Sequence, residues 1–183
     1  MTTTACAAER CRGRVPGDAP VPLCAQHLDV ARDFADRSLG TPDVLPTPCP
    51  LCRSRVGVRY PSAWICAVCE WRYGEVPDAE LPPPRVDVVY YIRFDDRIKI
   101  GTTANPRQRL ARLWHQELLA FERGDRTVER VRHEQFAAFR HPGSEWFAVH
   151  AELDAHVELL RAGQPDPWAR HARWTSEALA LRT

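Results

Sequence analysis

The sequence predicts an α+β protein in which two small cysteine-rich units precede a domain built from an antiparallel hairpin and several helices. Three observations favour this fold class. All seven cysteines of the 183-residue chain lie before residue 70. A β-type alternation of side chains begins at Val86 and turns back near Asp95. Beyond this hairpin, apolar residues recur at helical spacing as far as Leu181.

The composition gives no sign of a global charge or a membrane segment. The 25 basic and 24 acidic residues leave a formal net charge of +1, so any basic surface must be local. Residues 1–10 (MTTTACAAER) contain no basic leader with an apolar core, and no apolar run approaches the length of a membrane span. We therefore expect a soluble, cytoplasmic protein whose cysteines are reduced or bound to metal.

The second cysteine-rich unit contains two pairs, Cys49–Cys52 and Cys66–Cys69, each with two residues between its members. This spacing lets two thiolates point at one tetrahedral ion from a tight turn, and the stretch resembles a zinc ribbon. The alternative is a set of four unrelated buried thiols. The spacing predicts a four-cysteine site that holds one zinc ion.

The remaining cysteines and one histidine supply four more ligands: Cys6, Cys11, Cys24 and His27. Together the eight side chains suffice for two structural zinc ions with no open coordination position. The proline-rich stretch 41–50 favours sequential pairing, although a cross-braced arrangement remains open. A helix over residues 27–39 is expected to pack on the first metal site through residues such as Phe34. Any catalysis must lie elsewhere in the chain.

The downstream elements follow from local patterns. Two strands flank a turn at Asp95–Asp96, and Asn105–Pro106 begins a helix that runs to about Trp114. Residues 117–121 are readable either as a third strand or as more helix. Further helices are expected from about residue 126, over 150–161 and over 168–181.

Prolines at positions 77 and 82–84 indicate a stiff linker before the hairpin. The chain is therefore expected to contain five segments: a zinc module of three cysteines and one histidine with a helix (1–40), a four-cysteine zinc ribbon (41–75), a proline-rich linker (76–85), the domain with the hairpin (86–148) and C-terminal helices (149–183).

The hairpin contains the only lysine of a chain with 25 basic residues, in VYYIRFDDRIKIGTT (residues 89–103). An isolated lysine can arise from composition alone. With Tyr90 in the first strand and Lys99-Ile100-Gly101 in the second, however, the hairpin resembles the GIY-YIG nuclease family. The closest likeness is to its phage and prophage branch, which carries Lys-Ile-Gly-x-Thr. Over about residues 86–148, three further features match that branch: Arg109 in the helix, Glu129-x-x-x-His133-x-x-Phe136, and Glu145-Trp146-Phe147.

The resemblance implies a small three-stranded antiparallel sheet flanked by helices and a metal-dependent DNA endonuclease that hydrolyses phosphodiester bonds. Glu129 would bind one Mg²⁺ ion, and Arg109 would stabilise the charge that develops on the phosphate. The hydroxyl of Tyr90 would position or deprotonate the attacking water. Lys99 would bind phosphate or accept a proton, and His133 is a further candidate.

The chain also departs from the family pattern. Val88 stands in place of the first motif's glycine, and Lys99 in place of the second motif's tyrosine. Leu113 occupies a position where a histidine is expected, and Ser144 is an extra residue before Glu145. These departures support an alternative, a catalytically inactive zinc-dependent DNA-binding or adaptor protein.

Several candidate residues also have simpler explanations. Glu129 and His133 form a solvated pair on many helices, and Tyr90 alternates with core residues. In the ribbon, cations interleave with rings, as suits a nucleic-acid surface, although ribbons also dock proteins. The ribbon residues concerned are Arg53, Arg55, Arg59, Tyr60 and Trp64, and a second local basic patch would comprise Arg123, Arg126, Arg130 and Arg132. DNA is the expected partner, no membrane contact is expected, and the sequence does not indicate an oligomeric state.

Overall fold

The computed structural model describes residues 5–78 and 80–182. It has an α+β fold with two antiparallel sheets, which confirms the predicted class. Within the described residues, no helix is long and apolar enough to cross a membrane. The elements are α1 (Ala25–Ser38), β1 (Thr41–Val44), β2 (Val56–Arg59), β3 (Trp64–Cys66), β4 (Val88–Phe94), β5 (Arg97–Thr103), α2 (Pro106–Leu110), β6 (Glu117–Arg123), α3 (Arg126–Gln135), β7 (Trp146–Ala148), α4 (Ala151–Arg161) and α5 (Pro167–Ala180), with a 3-10 turn at Ala137–Phe139.

The small sheet has the strand order β1-β2-β3 and carries the second cysteine-rich unit. Its first strand lies within the stretch that the sequence indicated as a proline-rich spacer. Pro42 is tolerated there because β1 is an edge strand, where a missing backbone N–H costs no ladder bond. Leu45 is fully buried beside the cysteines, and it lies so close to Gly57 that a Cβ there would come within 2.6 Å of its side chain.

The large sheet has the order β6-β4-β5-β7, with every neighbouring pair antiparallel. The central strand β4 is buried on both faces, which explains its nearly continuous apolar run. The ambiguous segment 117–121 belongs to strand β6. The sheet has four strands instead of the three expected, because Trp146–Ala148 pairs with β5. Three residues are too few to show a strand periodicity in sequence.

Helices cover both faces of the large sheet. On one face, α3 and α4 enclose a core in which Leu153 and Val157 of α4 meet Phe136 and Phe147. On the other face, Leu110 of α2 packs with the β4 side chains. The helix α2 ends at Leu110, earlier than predicted, and the chain continues in tight turns.

The C-terminal helix α5 contacts both sheets. Trp168 lies edge-on to Phe121 of the large sheet, with ring centroids 5.2 Å apart. Ala172 and Leu179 pack against the core of the small sheet, and Arg173 forms an ion pair of 2.6 Å with Glu70. The helix therefore connects the ribbon to the hairpin domain.

Helix α1 does not pack as the sequence predicted. None of its residues is buried, and Phe34 is 66% exposed. His27 lies in the first turn of α1, so only that end of the helix reaches the first metal site. The apolar positions further along the helix, such as Val30 and Phe34, are largely exposed.

A half-buried polar network fastens α3 to the sheet. Arg132 donates to both carboxylate oxygens of Glu122, and the Tyr91 hydroxyl donates to the same carboxylate at 2.7 Å. Burial alone would raise the pKa of Glu122, but hydrogen bonds with His156, Arg132 and Tyr91 outweigh it and hold the pKa at about 2. The carboxylate therefore stays ionised. Its hydrogen bonds with Arg132 hold α3 against the sheet at the residue next to His133.

Candidate active site

A cleft lies beside the part of β5 that the short strand β7 leaves unpaired. The strand β7 pairs only with residues 97–99 of β5, so beyond them the outer edge of β5 faces a cleft of about 640 Å³ between α2 and α3. Its walls bring together four of the five side chains predicted as catalytic: Tyr90, Arg109, Glu129 and His133. The fifth, Lys99, does not line the cleft, but it forms an ion pair with Glu145, which does.

Tyr90 has a buried ring and a hydroxyl at the cleft. It lies opposite Gly101 across the β4–β5 ladder, and a Cβ on Gly101 would come within 2.5 Å of that hydroxyl. A side chain at position 101 would therefore displace the tyrosine. The hydroxyl accepts a weak hydrogen bond of 3.4 Å from Nε of Arg109. The ring thus packs in the core, as the simpler explanation held, and the residue also borders the cleft.

Glu129 and His133 lie one turn apart on α3 and share the face that borders the cleft. Nε2 of His133 is 3.1 Å from the carbonyl oxygen of Ile100 and 3.8 Å from Oε1 of Glu129. Because a carbonyl only accepts, Nε2 carries a proton in this arrangement. His133 thereby satisfies the backbone of β5 at the point where β7 ends.

Lys99 forms an ion pair with Glu145, with 2.7 Å between Nζ and Oε2. The lysine side chain is only 13% exposed, whereas Glu145 borders the cleft. The hydrogen bond from Lys99 holds the pKa of Glu145 below its ordinary value. Sequence reasoning quoted Glu145 as part of a motif but did not include it among the site residues. The position of the chain's only lysine in this hairpin was the signal that could have pointed to an anionic partner such as Glu145.

Arginines surround these carboxylates. Arg126, Arg130 and Arg140 line the cleft together with Arg109. Two of the four arginines of the predicted second basic patch are engaged elsewhere, because Arg123 pairs with Glu177 and Arg132 pairs with Glu122. Only Arg126 and Arg130 of that patch face the cleft. The guanidinium groups that remain suit an anionic ligand with several phosphates.

The cleft offers a sparse donor set for a metal ion. Among the described residues, three or more His, Cys, Asp or Glu ligands converge only at the two cysteine-rich units. The cleft instead is lined by three glutamates, Glu129, Glu134 and Glu145, of which Glu129 and Glu145 belong to the sequence motifs. This set fits Mg²⁺, which commonly binds one or two carboxylates and completes its shell with water and phosphate oxygens.

The two cysteine-rich units each gather four ligand atoms within 4.8 Å of one another: Cys6, Cys11, Cys24 and His27 in one, and Cys49, Cys52, Cys66 and Cys69 in the other. The pairing is therefore sequential. Sulfur atoms 3.5–3.8 Å apart are too distant for disulfides. Tetrahedral Zn–S bonds of about 2.3 Å place ligand sulfurs about 3.8 Å apart, so each group can hold one metal ion.

Burial raises the pKa of the Cys52 thiol to about 12 and also raises that of Cys69. These thiols therefore keep their protons at neutral pH unless a bound cation displaces them. Such coupling between metal binding and proton release is usual for thiolate sites.

The ribbon surface is less available for nucleic acid than its sequence indicated. Arg59 lies 3.4 Å from the Asp43 carboxylate and 5.9 Å from the centre of the Trp64 ring. Arg55 donates to the carbonyl of Leu45. Of the three ribbon arginines, Arg53 has no such partner among the described contacts, and it projects from the first cysteine turn with a positive φ of 65°.

The fold and cleft define a class of protein with an antiparallel sheet and a groove whose arginines accompany a few carboxylates suited to a hydrated metal ion. Residues 87–161 match the T5orf172 domain, a phage-associated domain of the nuclease type. The match runs from β4 through α4 and includes every predicted catalytic residue. No curated protein and no solved structure is significantly similar to the chain.

Proposed function

We propose that this protein is a metal-dependent DNA endonuclease of the GIY-YIG type, with two zinc modules attached to its catalytic domain. The observation that carries the proposal is the cleft itself. It unites Tyr90 of β4, Arg109 of α2, and Glu129 and His133 of α3, which are distant in sequence and match the family motifs in order. The nuclease-type domain match over the same residues supports it.

Each side chain has a defined task in phosphodiester hydrolysis. Glu129 and Glu145, which both border the cleft, would hold Mg²⁺, which supplies Lewis-acid stabilisation of phosphate charge and lowers the pKa of bound water. Arg109 directs its guanidinium at the non-bridging oxygens. Because Arg109 already donates to the Tyr90 oxygen, the hydroxyl proton of Tyr90 is free to orient a water or phosphate oxygen.

Lys99 and His133 act as positioning residues in this proposal. Lys99 orients Glu145 through their ion pair, instead of serving as a base. With Nε2–H directed at the Ile100 carbonyl, His133 accepts a proton only at Nδ1. Its bond to the sheet edge keeps the Glu129 face of α3 against the cleft.

The cysteine-rich units are proposed to bind one structural zinc ion each. Purified protein is expected to contain two zinc ions per chain, measured by inductively coupled plasma mass spectrometry. Cys66→Ser is expected to lower the content to one ion, because Cys66 is buried in the second ligand group only. A wild-type content of one ion or none contradicts the two-site assignment.

A second candidate is a DNA-binding or adaptor protein that does not cut. Val88 favours it, because this residue is fully buried at the position of the first motif's glycine and allows no ligand to approach the backbone there. Lys99 favours it as well, because its ammonium group is already paired with the Glu145 carboxylate. Such a protein binds DNA with a strong dependence on salt but leaves the strands intact.

Incubation of the zinc-loaded protein with supercoiled plasmid separates the two candidates. We expect nicked or linear product with Mg²⁺ and none when Mg²⁺ is replaced by Ca²⁺. Omission of Mg²⁺ is preferable to chelation, because a chelator also strips the zinc sites. Intact plasmid that is retarded on a gel at low salt supports the binding protein and contradicts the nuclease.

A further inference from the structure

Trp114 is an exposed indole in a chain that otherwise buries its tryptophans. Its exposed fraction is 87%, whereas each of the other five tryptophans is buried or half-buried. It lies in the loop between α2 and β6. An exposed indole offers a large flat face for contact, and tryptophan is enriched among the residues that dominate binding surfaces.

The backbone around Trp114 is fastened on both sides. Leu113 packs against the core beneath α2, and its carbonyl contacts Nδ1 of His115 at 2.7 Å. Gln116 donates its N–H to the Arg93 carbonyl, and its side-chain amide pairs with Asp95. The backbone that carries the indole is therefore anchored on both sides, which lowers the cost of ordering this loop on a ligand.

The segment that carries Trp114 is purely cationic. Residues 106–115 (PRQRLARLWH) include Arg107, Arg109 and Arg112 and contain no acidic residue. Arg109 lines the cleft, while Arg112 is exposed beside Trp114. Five residues span at most about 18 Å, so the indole lies within about five nucleotides of Arg109 at roughly 3.4 Å per nucleotide.

We propose that Trp114 stacks on an unpaired base of the DNA strand whose phosphate occupies the cleft. This inference rests on the proposed function and specifies its substrate as DNA with a single-stranded segment next to the cut. Every base has a face that can stack on an indole, whereas a paired base in a duplex hides its face. The guanidinium groups of Arg109 and Arg112 bind the adjoining phosphates, whereas Arg107 lies over the Trp168 ring, 4.7 Å from its centre.

Charge complementarity favours this occupant over a protein. Next to Trp114 the loop has the small Ala111, the exposed Arg112, and the half-buried Leu113 and His115, and within residues 111–116 only Trp114 is an exposed large apolar side chain. A protein interface of ordinary size requires a wider apolar centre. A single projecting ring beside an exposed guanidinium suits a nucleic-acid stacking platform.

The test measures binding without cutting. Fluorescence anisotropy of a labelled single strand and of a duplex of equal length is recorded with zinc-loaded protein in the absence of Mg²⁺. Trp114→Ala is expected to weaken single-strand binding roughly 5- to 150-fold, the range measured for loss of one stacked base. Its ratio of single-strand to duplex affinity is expected to fall. Trp114→Phe, which keeps a ring, restores most of the loss, and Leu159→Ala, at another exposed apolar side chain, changes neither affinity.

The outcomes separate this inference from the nuclease proposal. Unchanged single-strand affinity in Trp114→Ala overturns the stacking role, whether or not the wild type cuts DNA. An equal loss for single strand and duplex overturns the preference for unpaired bases. A wild-type dimer in sedimentation that Trp114→Ala dissociates identifies a protein interface and also overturns it. A stacking effect in a protein that never cuts upholds this inference and contradicts the nuclease alone.

Discussion

Glu129→Gln is expected to lower the rate of DNA cutting by about 10³-fold or more while the protein stays folded. Removal of the charge deprives the cleft of its principal carboxylate ligand, and metal stabilisation of a phosphoryl transition state is worth several kcal/mol. Glu145 remains in this variant, but a single carboxylate whose Oε2 is shared with Lys99 at 2.7 Å holds the ion less firmly than two carboxylates do. The glutamine side chain has nearly the same size, so the packing of α3 should not change. Single-turnover cutting of a labelled oligonucleotide measures the effect.

Glu158→Gln provides the matched control. Glu158 is an exposed glutamate of α4 that forms a surface pair of 3.5 Å with Arg161, and such pairs contribute little to stability. Its variant is expected to cut at the wild-type rate. Circular dichroism and thermal unfolding of both variants should match the wild type. Full activity in Glu129→Gln would remove Glu129 from the site and with it the proposed metal position.

The sequence predicted those parts of the fold that depend on local chemistry. Paired cysteines with two intervening residues identify a metal site because the turn itself sets the ligand geometry. The hairpin around Asp95–Asp96 was equally predictable, because the alternation of side chains and the turn residues both indicate two antiparallel strands there. The order of the motifs predicted that Tyr90, Arg109, Glu129 and His133 share one site, and all four border the cleft.

Other features depend on contacts between distant segments, which a single sequence does not encode legibly. Glu145 was missed as a site residue because its partner Lys99 lies in β5, 46 positions away. The position of α5 between the two sheets was invisible for the same reason. Helix α1 has an apolar face in its pattern, yet Phe34 on that face is largely exposed. Periodicity predicts that a helix forms, but it does not identify what packs against it.

Arg109→Ala is expected to lower the cutting rate by about 10²- to 10³-fold, the usual cost of removing one donor from developing anionic charge. Arg109→Lys keeps the charge but loses the planar fork, so only part of the activity should return. The loss should appear mainly in kcat if the guanidinium acts on the transition state, and mainly in KM if it only holds the substrate. Arg161→Ala, on α4, serves as the control and should cut normally.

Tyr90→Phe turns this prediction into a test of the site's geometry. The phenylalanine ring fills the same buried space above Gly101 but removes the oxygen that accepts from Arg109. If the two residues orient one phosphate as a unit, the double variant should cut no more slowly than Arg109→Ala alone. Multiplicative losses would mean that Tyr90 and Arg109 act independently. The hydroxyl would then serve the attacking water, and its contact of 3.4 Å with the arginine would be incidental to catalysis.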